Sequence, residues 1–316
     1  MDNKIGVGTG IGKIILIGEH AVVYGQPALA IPFPATKIKT TIRRKKGSIT
    51  LNCFFHQGLL SNSPKKLVGL VSVIEQIVHS FNERLEDFSI DIESSIPPER
   101  GIGSSAAVAI ATIRALYDYY NRPLTDDELF KWANVSEQIV HGNPSGIDMS
   151  IIIGETPLYY IKGKAFVPFT FKLDAYLIVA DTGELGQTQA AVSSVRKLIE
   201  SNPEEGKSLI KQLGVLTNRV KVSIEKKDVV KLGQSMTKAH SLLKKLGVSN
   251  SSLDRLVSVA LDNEALGAKL TGGGRGGCII ALASTIQQAD FICDKLLSNG
   301  AKNTWILDME LIRNGQ

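Results

Sequence analysis

Cysteine is scarce in this chain of 316 residues, and long apolar runs are missing from it. The three cysteines, Cys53, Cys278 and Cys293, are too few and too scattered to form a disulfide framework or a zinc site. No apolar run approaches the ~18 residues of a membrane-spanning helix. Lys13 and Glu19 interrupt the N-terminal stretch where a signal peptide would have its apolar core. We therefore expect a cytoplasmic globular protein that does not bind membranes.

The chain has only a small excess of positively charged over negatively charged residues. The chain has 36 Lys and Arg against 31 Asp and Glu, a net charge of +5. Its tight basic run, residues 43–47, lies between two strand-like segments, Lys37–Ile42 and Ser48–Phe54, and predicts a solvated hairpin turn. No nucleic-acid-binding motif accompanies this run, so we expect no nucleic-acid partner.

The residues that are present indicate two domains of mixed helix and strand. Hydrophobic residues make up 43% of the chain, an ordinary globular value, and ~150 residues per domain predicts two domains. Phe88–Ile96 alternates apolar and polar residues and predicts a strand, while Thr125 and Glu128 form a capping box that begins a helix ending near Gly142. Strands enclosing helical hairpins predict an α+β fold with a domain boundary in 163–173. Further strands are predicted at Ile14–Ile17, Ala28–Phe33, Ala175–Ala180, Ala268–Leu270, Cys278–Leu282 and Thr304–Met309, and further helices at 106–120, 187–201, 204–225, 227–246 and 250–266.

A short glycine segment, Gly101–Ser105, leads directly into one of these helices. Unpaired N–H groups at a helix N-terminus attract anions, and glycine lets a phosphate approach the backbone closely. The alternative is an ordinary turn in which Ser104 or Ser105 caps the helix, and the segment alone does not decide between the two. Its sequence does not match the P-loop pattern. Pro97 and Pro98 interrupt the strand that must precede the glycine turn of a dinucleotide-binding fold, so a dehydrogenase is disfavoured.

Two further glycine-bearing segments carry candidate residues. Residues 272–277 contain five glycines, and since each glycine loses much freedom on folding, we infer that another backbone or a ligand passes close to them rather than that they form a floppy hairpin. Residues 12–20 place Lys13, Glu19 and His20 at the ends of an apolar strand. A surface lysine and two turn residues are the alternative interpretation.

Two carboxylates complete the set of candidate residues. At about 100° per residue, Glu137 falls on the apolar side of its helix near Ala133 and Val140. A carboxylate facing the interior is costly unless a cation meets it, so we favour a metal-binding role over a partly exposed rim position. Asp148 follows a polar turn and precedes an apolar segment, where it either takes part in chemistry or caps the next element. Phosphate-type loops, an inward carboxylate, an aspartate and a lysine suit magnesium-dependent phosphoryl transfer.

These residues resemble a known family. Lys13 with Gly18–Gly25, then Gly101–Ala107, then Lys269–Cys278 resemble the three ordered motifs of the GHMP small-molecule kinases. Within that family, Gly18–Gly25 and His141–Asp148 resemble the members that phosphorylate mevalonate, above all their short bacterial form. The resemblance spans nearly the whole chain.

The resemblance implies a fold and a reaction. The fold would be α+β, with an N-terminal GHMP kinase domain (1–168, ATP-binding) like ribosomal protein S5 domain 2 and a ferredoxin-like C-terminal GHMP kinase domain (169–316), with the active site between them. The reaction would be the ATP- and Mg²⁺-dependent phosphorylation of the mevalonate 5-hydroxyl in isoprenoid biosynthesis. Mevalonate and ATP would be the small-molecule partners, and a homodimer is the expected assembly.

The resemblance also implies roles for individual residues. Asp148 would be the catalytic aspartate with Lys13 as its partner, and Ser105 and Glu137 would bind Mg²⁺. Glu19, His20 and Thr188 would lie near mevalonate, with His20 as a hydrogen-bond donor to the substrate carboxylate. The ATP phosphates would be held by residues of two loops: Glu99, Arg100, Gly101, Ile102, Gly103, Ser104 and Ser105 in the first, and Gly273 and Gly274 in the second.

Departures from the family pattern and alternative functions stay open. The usual Pro-x-Gly reads Pro98-Glu99-Arg100 here, and Arg275 stands among the glycines, which puts the details of phosphate contact in doubt. A related kinase acting on phosphomevalonate, galactose or homoserine is the nearest alternative, although the sequence shows no extra basic cluster for a phosphorylated substrate. A ligand-binding sensor without catalysis is disfavoured because Lys13 and Asp148 are both present.

Overall fold

The computed structural model describes residues 4–95, 98–142 and 146–312, and the chain divides into two compact units. The first unit contains Met1–Gly12, Thr36–Pro97 and Gly103–Gly154, and the second contains Lys13–Ala35, Pro98–Ile102 and Glu155–Gln316. The domain boundary predicted after residue 168 stays a prediction. Within the described ranges, no helix is long and apolar enough to cross a membrane.

Runs of strands are followed by runs of helices along the described chain, which is the pattern of an α+β fold. The strands are β1 (Ile5–Ile17), β2 (Pro27–Arg44), β3 (Thr50–Cys53), β4 (His56–Leu59), β5 (Phe88–Ser94), β6 (Leu158–Ile161), β7 (Val167–Pro168), β8 (Tyr176–Asp181), β9 (Gly267–Thr271), β10 (Cys278–Ala283) and β11 (Asn303–Asp308). The helices are α1 (Val68–Ser80), α2 (Ser104–Tyr119), α3 (Asp126–His141), α4 (Ile147–Gly154), α5 (Thr188–Ser201), α6 (Pro203–Glu225), α7 (Val229–Lys245), α8 (Ser251–Asp262) and α9 (Ile286–Ser298). The predicted α+β class is confirmed.

The first unit packs α1, α2, α3 and α4 together beside strands in the order β4-β3-β5-β2. The predicted hairpin at residues 43–47 is wrong. β5 lies between β2 and β3, pairing antiparallel with β2 and parallel with β3. Arg43 reaches Asp91 of β5 at 3.0 Å, while residues 43–47 are exposed as expected. Local alternation of residues predicts a strand but not its partner, since β5 comes from more than 30 residues further along the chain.

Alternate glycines in β1 allow it to lie directly on α2. A Cβ atom at Gly6, Gly8 or Gly10 would overlap the backbone of α2, at Ala115, Ala111 and Ala107 respectively. The strand was predicted only at Ile14–Ile17, because glycine carries no hydropathy signal from which alternation can be recognised. Its true length brings α2 within backbone contact of the sheet.

The second unit contains a four-stranded antiparallel sheet in the order β11-β8-β10-β9. When the four strands are numbered in chain order, their order in the sheet is 4-1-3-2. Helices α5 to α8 lie between β8 and β9 in the chain, and α9 lies between β10 and β11. It is the ferredoxin-like arrangement. In the same unit, β6 pairs with the first residues of β2, Pro27–Ala30, and with β7.

Candidate active site

The loop before α2 prepares the start of that helix for an anion. Gly103 is the N-cap residue, with a left-handed φ of 78°, and it has no side chain that could cap the first N–H groups. Ser104 and Ser105 are the first two residues of the helix, so the alternative in which one of them is the N-cap is wrong. The N–H groups of the first turn therefore have no side-chain cap, which suits the binding of an anion, and the phosphate-loop interpretation stays a prediction.

Ser105 and Glu137 are brought together by the packing of α2 against α3. The Ser105 hydroxyl donates to Glu137 Oε1 at 3.0 Å, and Trp132 Nε1 donates to the Tyr117 hydroxyl at 2.7 Å between the same helices. The capping box of Thr125 that starts α3 is present. Glu137 is buried at 6% exposure, as its place on the helix predicted, whereas Ser105 is exposed. A buried carboxylate oxygen beside an accessible hydroxyl is a donor set that suits Mg²⁺.

Asp148 lies in the first turn of α4 and is half-buried. The segment 143–145 of the preceding turn, which carries part of the resemblance, lies outside the described residues. Asp148 belongs to the first unit and Lys13 to the second, and their pairing stays a prediction.

Lys13 is buried at 4% exposure, so the interpretation as a surface lysine is wrong. Its backbone N–H donates to the Ile102 carbonyl at 3.0 Å, and its Nζ lies 3.5 Å from the Gly101 carbonyl oxygen. Ile102 is fully buried and fixes this loop. The second unit therefore holds the lysine against the residues that lead into the phosphate loop.

The glycine-rich loop after β9 is packed against other backbone segments. Cβ atoms at Gly272 and Gly277 would lie 2.8 Å from Gly101 and 2.7 Å from the Arg100 carbonyl oxygen. A Cβ at Gly274 would overlap the Val248 carbonyl. The inference that another backbone passes close to these glycines is confirmed, and the two predicted phosphate loops meet within the second unit.

The side chain of Arg100 forms an ion pair and a hydrogen bond within the protein. Its Nε lies 2.9 Å from the buried Asp181 carboxylate, and its Nη2 donates to the Gly183 carbonyl at 3.0 Å. The Glu99 carbonyl accepts from the Gly186 N–H at 2.7 Å. These contacts tie the loop to the end of β8. Direct contact of either side chain with a nucleotide stays a prediction.

Glu19 and Lys269 form a fully buried ion pair in the second unit. Lys269 Nζ donates to Glu19 Oε1 and also to the Leu270 carbonyl at 2.6 Å. Burial raises the pKa of Glu19, and the neighbouring ammonium groups of Lys269 and Lys13 oppose that rise. Lys269 was not predicted as a site residue, although a lysine inside an apolar strand was a signal that could have identified it.

His20 is buried beside the same loop. Its Nε2 lies 2.9 Å from the Gly273 carbonyl oxygen, which can only accept, so Nε2 carries the proton. Burial lowers the pKa of His20 to about 4, which keeps the ring neutral at pH 7 and leaves Nδ1 unprotonated. A neutral ring with its one N–H committed to Gly273 differs from the expected donor to a substrate carboxylate. Thr188, the first residue of α5, lies directly over Gly273, where a Cβ would overlap its hydroxyl.

Comparison with known proteins identifies the family. Residues 68–155 match the GHMP kinases N terminal domain, and residues 220–302 match the GHMP kinases C terminal domain. The chain is 36% identical to the mevalonate kinase of Pyrococcus horikoshii over 294 residues, which are 86% of each protein. The chain belongs to the GHMP kinases.

Solved structures agree with this GHMP kinase fold. The Leishmania major (L. major) mevalonate kinase in complex with R-mevalonate has a TM-score of 0.83 at 27% identity and covers 98% of both chains. Mevalonate kinase from methicillin-resistant Staphylococcus aureus has a TM-score of 0.76 at 35% identity, covering 97% of this chain and 99% of that one. The predicted two-domain GHMP kinase fold is thereby confirmed.

Within each unit of this GHMP kinase, the structure assembles part of the predicted site. The first unit combines the uncapped start of α2 with Ser105 and Glu137, and it carries Asp148. The second unit gathers two groups of residues: the buried Lys13, Glu19, His20 and Lys269, and the loops of Glu99–Ile102 and Gly272–Gly277 with Thr188. The residues of the first unit are suited to an anion with its metal ion. The buried side chains of the second unit are suited to hydrogen bonding with a small polar molecule.

Proposed function

We propose that this GHMP kinase transfers the γ-phosphoryl group of ATP to the 5-hydroxyl of mevalonate. The observation that carries the kinase chemistry is the Ser105–Glu137 pair beside the uncapped start of α2. The identity of the substrate rests on the likeness to mevalonate kinases along most of the chain. The product is 5-phosphomevalonate, an intermediate of isoprenoid biosynthesis.

In the proposed reaction Asp148 accepts the proton of the 5-hydroxyl. The hydroxyl oxygen forms a bond to the γ-phosphorus, and the bond from that phosphorus to the bridging oxygen breaks, so that ADP leaves. Lys13 is the partner of Asp148 in this proposal. The N–H groups at the start of α2, with Gly101 and Gly103 before them, hold the phosphates.

Ser105 and Glu137 fit a magnesium ion and would hold it through one hydroxyl and one carboxylate oxygen. Mg²⁺ usually takes one or two protein oxygens and completes its shell with water and phosphate. When bound, it supplies positive charge that neutralises the phosphate oxygens. In the described ranges there is no cluster of three His, Cys, Asp or Glu side chains suited to a metal ion.

Glu19, His20 and Thr188 bind mevalonate in this proposal. Glu19 is a charged acceptor, and the neutral ring of His20 has an acceptor nitrogen at Nδ1. Both are suited to a hydroxyl group. A cytoplasmic location and a homodimeric assembly complete the proposal, and light scattering on the purified protein measures the assembly.

A coupled assay of ADP release tests the proposal. The purified chain with MgATP should release ADP on addition of mevalonate, and ³¹P NMR should show a phosphate monoester on the product. Phosphomevalonate, galactose and homoserine form the comparison panel, and Asp148→Asn is the control for contaminating kinases. No ADP above the rate without mevalonate, or faster release with another member of the panel, would overturn the assignment.

A further inference from the structure

Lys269 is buried where a lysine is not expected. It lies in the middle of β9, has no exposed surface, and stands between the fully buried Ala268 and Leu270. A charged ammonium group at such a position costs several kcal/mol unless it is paired and hydrogen-bonded. The surrounding strand is apolar, so an aliphatic residue would fill this place at lower cost. Lys269 therefore serves something other than packing.

The partner of Lys269 leaves one oxygen unused. Lys269 Nζ binds Glu19 Oε1, while Glu19 Oε2 is buried and has no hydrogen-bond partner among the described residues. An ionised carboxylate oxygen can only accept, so the group missing at Oε2 is a donor. A buried polar atom without a partner costs about 1–3 kcal/mol, more when charged, and such an atom at a candidate site points to a ligand.

Burial raises the pKa of Glu19, and the charged groups around it oppose that rise. Lys269 faces it from β9 and Lys13 from β1. His20 is the next residue and is neutral at pH 7, because its pKa is lowered to about 4. The pKa of His240, on α7, is lowered by burial, and the positive charge of Lys269 lowers it further. Two ammonium groups thus face one carboxylate, which stabilises the ionised state of Glu19.

We propose that Lys269 is a positioning residue, which fixes one oxygen of Glu19 and presents the other as a charged acceptor to a hydroxyl group of the substrate. This inference rests on the proposed function, in which Glu19 lies near mevalonate. The two hydroxyls are the donors that mevalonate offers, because its carboxylate is ionised at neutral pH and can only accept. Lys269 itself touches no substrate and acts through Glu19.

Two substitutions and their combination test this inference. Lys269→Met removes the charge and keeps the length of the side chain, and Glu19→Gln removes the charge of its partner. The double variant Glu19→Gln/Lys269→Met removes both charges of the ion pair together. Lys244→Met is the control, because Lys244 on α7 forms its ion pair with Asp254 on α8, at 2.7 Å.

The KM values for mevalonate and ATP separate a positioning role from a structural one. Loss of a charge-assisted hydrogen bond predicts that Lys269→Met raises the KM for mevalonate about tenfold or more, while the KM for ATP stays within about twofold. Adding Lys269→Met to Glu19→Gln should change the KM for mevalonate by less than about twofold, since Lys269 acts through Glu19. Equal increases of both KM values in Lys269→Met, or additive effects in the double variant, would overturn the inference.

The pH dependence provides a second readout. Without Lys269 the carboxyl group of Glu19 is protonated more readily, so the acid limb of kcat/KM for mevalonate should move to higher pH in Lys269→Met. The acid limbs of Glu19→Gln and of the double variant should coincide, because Lys269 acts through the Glu19 carboxylate, and the limb should be unchanged in Lys244→Met. An acid limb at the wild-type position in Lys269→Met contradicts the proposed role.

Three further outcomes are distinguishable. If Lys269→Met does not fold because Glu19 is left unpaired, the comparison of Glu19→Gln with the double variant decides the question, since both lack the buried carboxylate. If the wild-type chain releases no ADP with mevalonate, the proposed function fails. Wild-type activity together with a Lys269→Met variant that behaves like Lys244→Met means that only the role of Lys269 fails.

Discussion

His20 makes the stability of the protein depend on pH in a way that one substitution can isolate. The ring is 6% exposed, and burial lowers its pKa from 6.5 to about 4. Between these two values the unfolded chain binds a proton that the folded chain does not. The free energy of unfolding therefore falls as the pH falls through this range. His20→Gln removes the titration and retains an amide N–H that can donate to the Gly273 carbonyl.

The size of the effect follows from the two pKa values. At pH 7 the difference in proton binding destabilises the folded state by about 0.2 kcal/mol, and at pH 5 by about 2 kcal/mol, for a pKa of 6.5 in the unfolded chain and about 4 in the folded one. His20 thus accounts for about 2 kcal/mol of the stability lost between these pH values. Below about pH 4 both states are protonated and the loss stops growing.

Urea unfolding of the wild type and of His20→Gln at pH 7 and pH 5 measures this quantity. The wild type should lose about 2 kcal/mol more than the variant between the two pH values, because all other titrating groups are common to both. A direct check is the titration of the His20 ring by NMR, which should show a neutral ring down to about pH 5. Equal losses in the two proteins, within about 0.5 kcal/mol, would refute a neutral buried His20.

Three further predictions concern residues of the first unit. Asp148→Asn should lower kcat by about a hundredfold or more while the Kd for ATP, measured by calorimetry, stays unchanged; near-normal turnover would remove Asp148 from the chemistry. Glu137→Gln should raise the Mg²⁺ concentration for half-maximal activity about tenfold, and an unchanged magnesium titration would make Glu137 a structural residue. Gly8→Ala should lower the free energy of unfolding by about 1–3 kcal/mol because its Cβ overlaps Ala111 on α2, whereas Val7→Ala at the 41% exposed neighbouring position should cost much less; similar losses in the two variants would argue against close packing of β1 on α2.

Local signals in the sequence predicted most of the fold that lies in single elements. The capping box at Thr125 begins α3, and glycine-bearing turns mark the ends of several elements. Helices α1 and α9 were not predicted, although buried residues recur in both at intervals of three and four, as at Val73, Ile74 and Ile77 in α1. The sequence therefore contains the signal for these two helices. The place of β5 between β2 and β3 is different, because it depends on contacts between distant segments.

The candidate site shows the same division between local and distant information. The buried orientation of Glu137 follows from the periodicity of its own helix, and it is confirmed. The partner of Glu19 could not be predicted, since Lys269 is 250 residues away in the chain. The glycines of residues 272–277 were correctly taken to mark a close approach, but spacing alone does not say that the approaching groups are backbone atoms of Gly101, Arg100 and Val248.

The chemistry of Glu19 and His20 restricts which part of a substrate can lie beside them. Glu19 presents a charged acceptor oxygen, and His20 is neutral with its N–H committed to Gly273. An anionic group placed here would gain no donor from either side chain and would meet the negative charge of Glu19, whereas a hydroxyl group gains an acceptor. In the proposed reaction the substrate carboxylate would therefore lie away from these two side chains. A site of this kind favours a substrate with free hydroxyl groups over one in which a phosphate occupies the same place.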